Sequence, residues 1–151
     1  MYVKKVININ KDLCTFVKIT IMSDLKLKVP VGYTEQTAYT EIHKLFLMVK
    51  LSHYKTRSFA AHEALGRTYD SLNDLIDNIT EKLIGYSGID PTTFVIGTVM
   101  ALSPKELGKY ILKASKKLED YAEVKEYCDI ENLAQELSGV GAQLTYLSRF
   151  S

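Results

Sequence analysis

An all-α four-helix bundle behind a short β-hairpin is the fold the sequence predicts, on three observations. The chain has 151 residues, 46% of them hydrophobic and 25% charged, which suits one domain with an ordinary core. From Thr34 onward the apolar residues recur with helical rather than alternating spacing. Before that point, two β-branched-rich runs flank a polar turn. The predicted boundaries are residues 1–32 for the hairpin extension and 33–151 for the bundle.

In the extension, Val3, Val6, Ile7 and Ile9 precede Asn10-Lys-Asp-Leu, and Phe16, Val17, Ile19 and Ile21 follow it. Pro30 and Gly32 then break the chain. Thr34-Glu-Gln-Thr37 opens the first helix with a hydroxyl cap and an early acid. Ala38, Ile42, Leu45, Phe46, Val49 and Tyr54 trace its apolar face. Ser58 caps the second helix, whose stripe Leu65, Tyr69, Leu72, Ile76, Ile79 and Leu83 advances by alternating steps of four and three. Gly85 and Gly88 are expected to end it.

Residues 86–103 form a connection holding the apolar run Phe94-Val-Ile96. Ser103-Pro104-Lys-Glu106 starts the third helix with a cap, a proline at the first helical position and an acid at the third. It continues through Ile111, Leu112, Leu118 and Tyr121. Asp129-Ile-Glu-Asn opens the last, with Leu133, Leu137, Val140, Leu144 and Leu147 facing inward; Gly139 and Gly141 interrupt it and permit close helix contact. Four helices of such lengths suggest a four-helix bundle.

Composition excludes several classes. The chain is too apolar and too evenly charged for disorder. Its apolar runs fall short of a membrane span, and Met1-Tyr-Val-Lys-Lys-Val begins no secretory signal. Cys14 and Cys128 are too few and too far apart for a disulfide framework. Both are expected as reduced packing residues of an intracellular protein. There is no Gly-rich phosphate loop and no Gly-x-Ser-x-Gly, so nucleotide chemistry and serine hydrolysis have no support. The net charge of +1 gives no whole-surface attraction to nucleic acid. It divides, however, into +4 over residues 1–30, where six lysines face Asp12 and Asp24, and −3 over the rest. DNA contact through that basic segment is one reading of it; protection of a strand edge by lysines is the other.

The chemistry lies on the second helix. With His62 at zero and about 100° per residue, Asp77 falls at about 60°, Asp70 at about 80°, Glu81 at about 100° and Asp74 at about 120°. The carboxylates thus form a file on the side away from the core, and the plain reading of Asp70 and Asp74 is a solvated face. Asp77 and Glu81 are one turn apart, so both can reach one cation. His53 near the end of the first helix and His62 at the start of the second are expected close together across the short connection. Two histidines and two carboxylates suit iron or manganese. His62 and Asp77 are nevertheless roughly 22 Å apart along one helix. An antiparallel two-fold copy places the histidines of one chain opposite the carboxylates of the other.

His53-Tyr-Lys-Thr-Arg-Ser-Phe-Ala-Ala-His62, with Tyr69, Asp77 and Glu81-Lys82 after it, resembles the core of the Dps-type mini-ferritins, DNA-protection-during-starvation proteins. In that family an aromatic follows the first histidine, a second histidine opens helix two, and an Asp and a Glu follow at 15 and 19 residues, as here. The chain is also similar to phage-encoded ferritin-like proteins. The resemblance covers about residues 36–85 by motif and 103–150 by helix pattern. It implies a ferritin-like bundle, a two-fold dimer or hollow dodecamer, and ferroxidase sites shared across the two-fold axis. Fe²⁺, or alternatively Mn or Zn, would be held by His53, His62, Asp77 and Glu81, in the cytoplasm of a bacterial host or with a phage. The chain departs from the family in its shorter histidine spacing, in Tyr54 where a Trp is usual, and in Gly66 where an additional acid stands; Glu63 and Asp70 are the acids nearest that position. Of the other candidates, His43 is expected packed or at the surface. Glu131 and Glu136 could serve an intrasubunit site, but no Glu-x-x-His accompanies them. Tyr54 or Tyr69 could carry electrons beside a redox metal, and packing is their plain reading. The alternative function is a non-enzymatic ferritin-like structural or partner-binding module, suggested by Gly66, the shortened spacing and the basic extension.

Overall fold

A computed structural model describes residues 29–151, and the hairpin expected over 1–32, with Cys14, lies almost wholly outside them. The described chain forms four α-helices: α1 (Glu35–Lys55), α2 (Phe59–Ser87), α3 (Pro104–Lys125) and α4 (Cys128–Leu147), with 3₁₀ turns at Pro91–Thr93 and Ser148–Phe150.

The helix ends follow side-chain chemistry. The Thr34 hydroxyl accepts from the Thr37 amide and the Thr37 side chain accepts from the Thr34 amide, a capping box that satisfies two otherwise unpaired donors. Ser103 and Glu106 repeat the arrangement on α3, with Pro104 in the first turn. Ser58 caps α2 by accepting from the Ala61 amide. Gly85 does not end α2; the helix passes through it and stops at Gly88, whose φ of 66° is the left-handed conformation that glycine adopts without a Cβ penalty. Gly139 and Gly141 likewise leave α4 continuous.

The core is a single cluster drawn from all four helices. Leu45, Leu65, Leu72, Ile79, Leu83, Leu107, Leu118 and Leu137 are wholly inaccessible, each contributing roughly 1.5–3 kcal/mol by leaving water. Leu133, Val140 and Leu147 pack partly buried against it. Two expectations fail. Tyr54 is 68% exposed, because the last inward position of α1 is taken by Ser52 and Tyr54 lies half a turn away. Cys128 is an exposed free thiol rather than a packing residue, since it stands at the first position of α4, outside the bundle.

Around the bundle the order is α1, α2, α4, α3, with α2 and α3 on opposite corners. At one end Lys82 and Tyr86 of α2 meet Asp129 of α4, and Lys125 of α3 meets Glu35 of α1. At the other, the Leu102 amide just before α3 donates to Ser52 Oγ near the end of α1, at 2.8 Å. The segment 88–103 therefore travels the length of the bundle, past Tyr39, whose ring lies 4.3 Å from that of Phe94. Thus α2 and α3 run parallel, while α1 and α4 run the opposite way: two antiparallel hairpins joined by one long crossover.

Helices α3 and α4 approach closely at Gly108 and Gly141. A Cβ on Gly141 would lie 2.9 Å from Ile111 Cγ2 and 3.1 Å from the Gly108 carbonyl oxygen. No helix among the described residues is long and apolar enough to cross a membrane.

Candidate metal site

The three-residue link between α1 and α2 brings His53 and His62 together. The Thr56 amide donates to Ser52 O as α1 ends, and the His62 amide donates to Ser58 O as α2 begins. The two imidazoles stack, with ring centroids 3.9 Å apart and planes 28° from parallel. His53 Nδ1 is 3.1 Å from the His62 carbonyl oxygen. That oxygen can only accept, so Nδ1 carries a proton and Nε2 is the nitrogen left to meet a metal ion. A ring nitrogen fixed by a backbone carbonyl is the usual way a metal-binding histidine is oriented.

Gly66 acquires a physical role here. A Cβ at that position would stand 3.3 Å from His53 Cε1, so the missing side chain is the space into which the imidazole settles. The sequence shows only an absent acid at Gly66; no signal in a single chain ties it to a histidine thirteen residues earlier.

Asp77 and Glu81 lie far along α2, both exposed, as are Asp70 and Asp74, so the acidic file faces away from the core as its periodicity predicts. Lys82, next to Glu81, is committed elsewhere, its Nζ 3.0 Å from Asp129 Oδ2. Within one chain the two halves of the expected ligand set are therefore at opposite ends of α2. Among the described residues, no three His, Cys, Asp or Glu side chains come together as a group that could hold a metal ion.

The histidine that senses Asp77 inside the chain is His43. Its Nε2 is 3.0 Å from Thr80 Oγ1, and its ring lies 4.2 Å from Tyr39. Burial pushes its pKa below the usual imidazole range, and the Asp77 carboxylate pulls the other way. The spacing does not announce this neighbourhood: His43 and His53, ten residues apart, differ by about 80° around α1, and only the packing shows that both meet α2.

Of the lesser candidates, Tyr69 stacks on Phe46 at 4.9 Å and its hydroxyl accepts from Lys50 Nζ at 3.3 Å. The exposed Tyr54 ring lies edge-on to His53, 5.8 Å away. Glu136 is exposed and Glu131 half-buried.

No curated protein and no solved structure matches the chain significantly. One family model does, over residues 53–147, a span that opens on His53 and contains His62, Asp77 and Glu81. The chain belongs to DUF5856, a family of unknown function.

Proposed function

We propose that the protein is a ferritin-like, mini-ferritin-type chain that binds Fe²⁺ as substrate between two copies and oxidises it, for iron sequestration or protection from oxidative stress. His53 and His62 come from one copy, and Asp77 and Glu81 from the other. The observation that carries this reading is the placement of both pairs on or beside α2, at opposite ends, with the carboxylates turned outward. An antiparallel two-fold copy aligning His62 with the Asp77–Glu81 turn puts the axis near Asp70 and Ser71, close to the middle of α2. The helices would then overlap along nearly their whole length. Two antiparallel hairpins joined by a single long crossover are also the connectivity of ferritin-like bundles.

The residues suit the substrate. His53 has Nδ1 held by a backbone carbonyl, which leaves Nε2 for the ion, and the two carboxylates supply hard, charged oxygens. Each Fe²⁺ would give one electron to dioxygen or peroxide arriving from solvent, and the carboxylates favour the more highly charged product. The test is direct: D77A/E81A should lose Fe²⁺ binding while its thermal melt stays close to that of the unaltered protein, because both side chains are exposed. Fe²⁺ oxidation at an unchanged rate in that variant would sink the assignment.

A second reading, a non-enzymatic structural or partner-binding module, is favoured by the imidazole stack. Ring-nitrogen lone pairs lie in the ring plane, so two nearly parallel rings do not converge on one ion until one of them turns. Purified protein free of iron, manganese and zinc, and inert toward Fe²⁺, would select this reading.

A further inference from the structure

We infer that the crossover segment 94–100 is an open strand edge on which residues 15–21 of the same chain dock, adding a strand beside it over α1. Phe94-Val-Ile-Gly-Thr-Val-Met100 belongs to no helix or turn, and Phe94 opens it with extended dihedrals, φ −87° and ψ 137°. From Phe94, beside Tyr39, to Leu102, bonded to Ser52, the chain passes thirteen residues of α1. That is about 20 Å in eight steps, over which a helix would advance only about 12 Å, so the backbone is drawn out. Phe94, Ile96 and Val99 are half-buried and Val95, Gly97, Thr98 and Met100 exposed, with Val95 at 83% and Met100 at 65%.

Among the described residues, no hydrogen bond reaches the peptide groups of 94–101. A drawn-out run containing Val95, Ile96, Thr98 and Val99 thus presents a row of unpaired N–H and C=O groups, the template on which strand addition works. Beneath it α1 keeps apolar surface in water: Leu47 and Leu51, one turn apart on the stretch between Tyr39 and Ser52, are both exposed.

The occupant follows from where the described chain begins. Tyr33 donates its hydroxyl to Glu41 Oε2 at 3.2 Å, so the chain enters at the end of α1 where Phe94 meets Tyr39. Residues 22–29 span up to roughly 26 Å when extended, enough to bring Ile21 beside the start of the crossover. Entry from that end sets the two segments antiparallel, with Ile21 near Val95 and Thr15 near Met100. Thr15-Phe-Val-Lys-Ile-Thr-Ile21 has the pattern of a strand with one wet side: Val17, Ile19 and Ile21 share a face fit to cover Leu47 and Leu51, and Phe16, Lys18 and Thr20 share the other. A hairpin alone is marginal in water, and a third strand with a helix beneath supplies the missing stability. Tethering holds the segment at an effective concentration in the millimolar range, which favours it over a strand from another molecule.

The test follows amide hydrogen exchange in the full chain. The amides of 95–100 should exchange at least tenfold more slowly in the unaltered protein than in V17P/T20P. Val17 and Thr20 direct their amides to opposite edges of a strand, so one proline falls in whichever edge meets the crossover. The Leu102 amide, held by Ser52, should keep its exchange rate in that variant, which separates lost docking from unfolding. V17I/T20V, with β-branched side chains at both positions, should retain the protection. The inference fails if 95–100 exchange at the rate of an unstructured peptide in the unaltered protein, or if V17P/T20P leaves their protection unchanged. ¹⁵N-labelled V17P/T20P, refolded with an excess of unlabelled unaltered protein, should stay unprotected at 95–100. Protection gained by the labelled chain would mean that a second copy gives the strand, and would overturn docking within the chain.

Discussion

Two glycines in α4 separated by one residue are expected to respond to alanine with opposite signs. Gly141 faces α3, and a Cβ there meets Ile111 Cγ2 at 2.9 Å, Ile111 Cβ at 3.0 Å and the Gly108 carbonyl oxygen at 3.1 Å. Neither the Cβ of a branched residue nor a backbone oxygen yields without moving the helix, and such overpacking costs about 1–3 kcal/mol. Replacing glycine within a helix returns up to about 1 kcal/mol; with overpacking near the middle of its range, about 2 kcal/mol, Gly141→Ala should destabilise by about 1 kcal/mol net. A Cβ on Gly139 would have nothing within 4 Å of it. Gly139→Ala should therefore stabilise by about 0.5–1 kcal/mol through helix propensity and a stiffer unfolded chain. In a chain of this size about 1 kcal/mol moves Tm by 2–4 °C. Calorimetry should find Gly139→Ala melting a few degrees above the unaltered protein and Gly141→Ala a few degrees below it. If both variants rise together, α3 and α4 do not approach at this point and the packing of that helix pair is wrong.

Other expectations follow from single contacts. Ser52→Ala removes the acceptor of the Leu102 amide and should cost about 1–3 kcal/mol, read by urea unfolding, with faster hydrogen exchange at Leu102. His43 has a folded-state pKa lowered by burial, so between that value and the ordinary imidazole value the unfolded chain binds more protons. The histidine's contribution to stability is thus whole above about pH 6.5 and declines as pH falls through the unfolded pKa toward the folded one. His43→Gln should accordingly flatten the fall in urea midpoint between pH 7 and pH 5; an unchanged profile would show that His43 titrates as it does in the unfolded chain. Gly66→Ala pushes on His53 Cε1 and should alter Fe²⁺ binding far more than it alters Tm, since the group that must give way is a half-exposed ring.

The helical frame is legible in the sequence because its signals are local. Thr34, Ser58, Ser103-Pro104 and Gly88 act within one turn of themselves, and the stripe from Leu65 to Leu83 needs only the helical repeat to place its core face. The outward aim of Asp70, Asp74, Asp77 and Glu81 comes from the same repeat. What escapes a reading of the sequence depends on partners distant along the chain. Ser52 is covered by the crossover, which returns to it fifty residues later, and Tyr54, half a turn away on α1, faces out. The role of Gly66 depends on the ring of His53, and that of Gly141 on Gly108 and Ile111. Cys128 is hard to place because a small apolar residue at a helix start carries no periodic signal of which way it faces. The histidine pair is foreseeable from a short link between two strong helices; its stacking is not, since that depends on rotamers.

The central claim is that the iron site is completed by a second copy, and complementation in trans tests it most directly. H53A/H62A and D77A/E81A, purified separately, should each fail to oxidise Fe²⁺. Co-assembled in a two-fold dimer, they rebuild one site of two, from the intact histidines of one chain and the intact carboxylates of the other. Recovery of activity on mixing, approaching half that of the unaltered dimer per mixed dimer, is the predicted result. Two variants that stay inactive after verified co-assembly, or either one active alone, would contradict it.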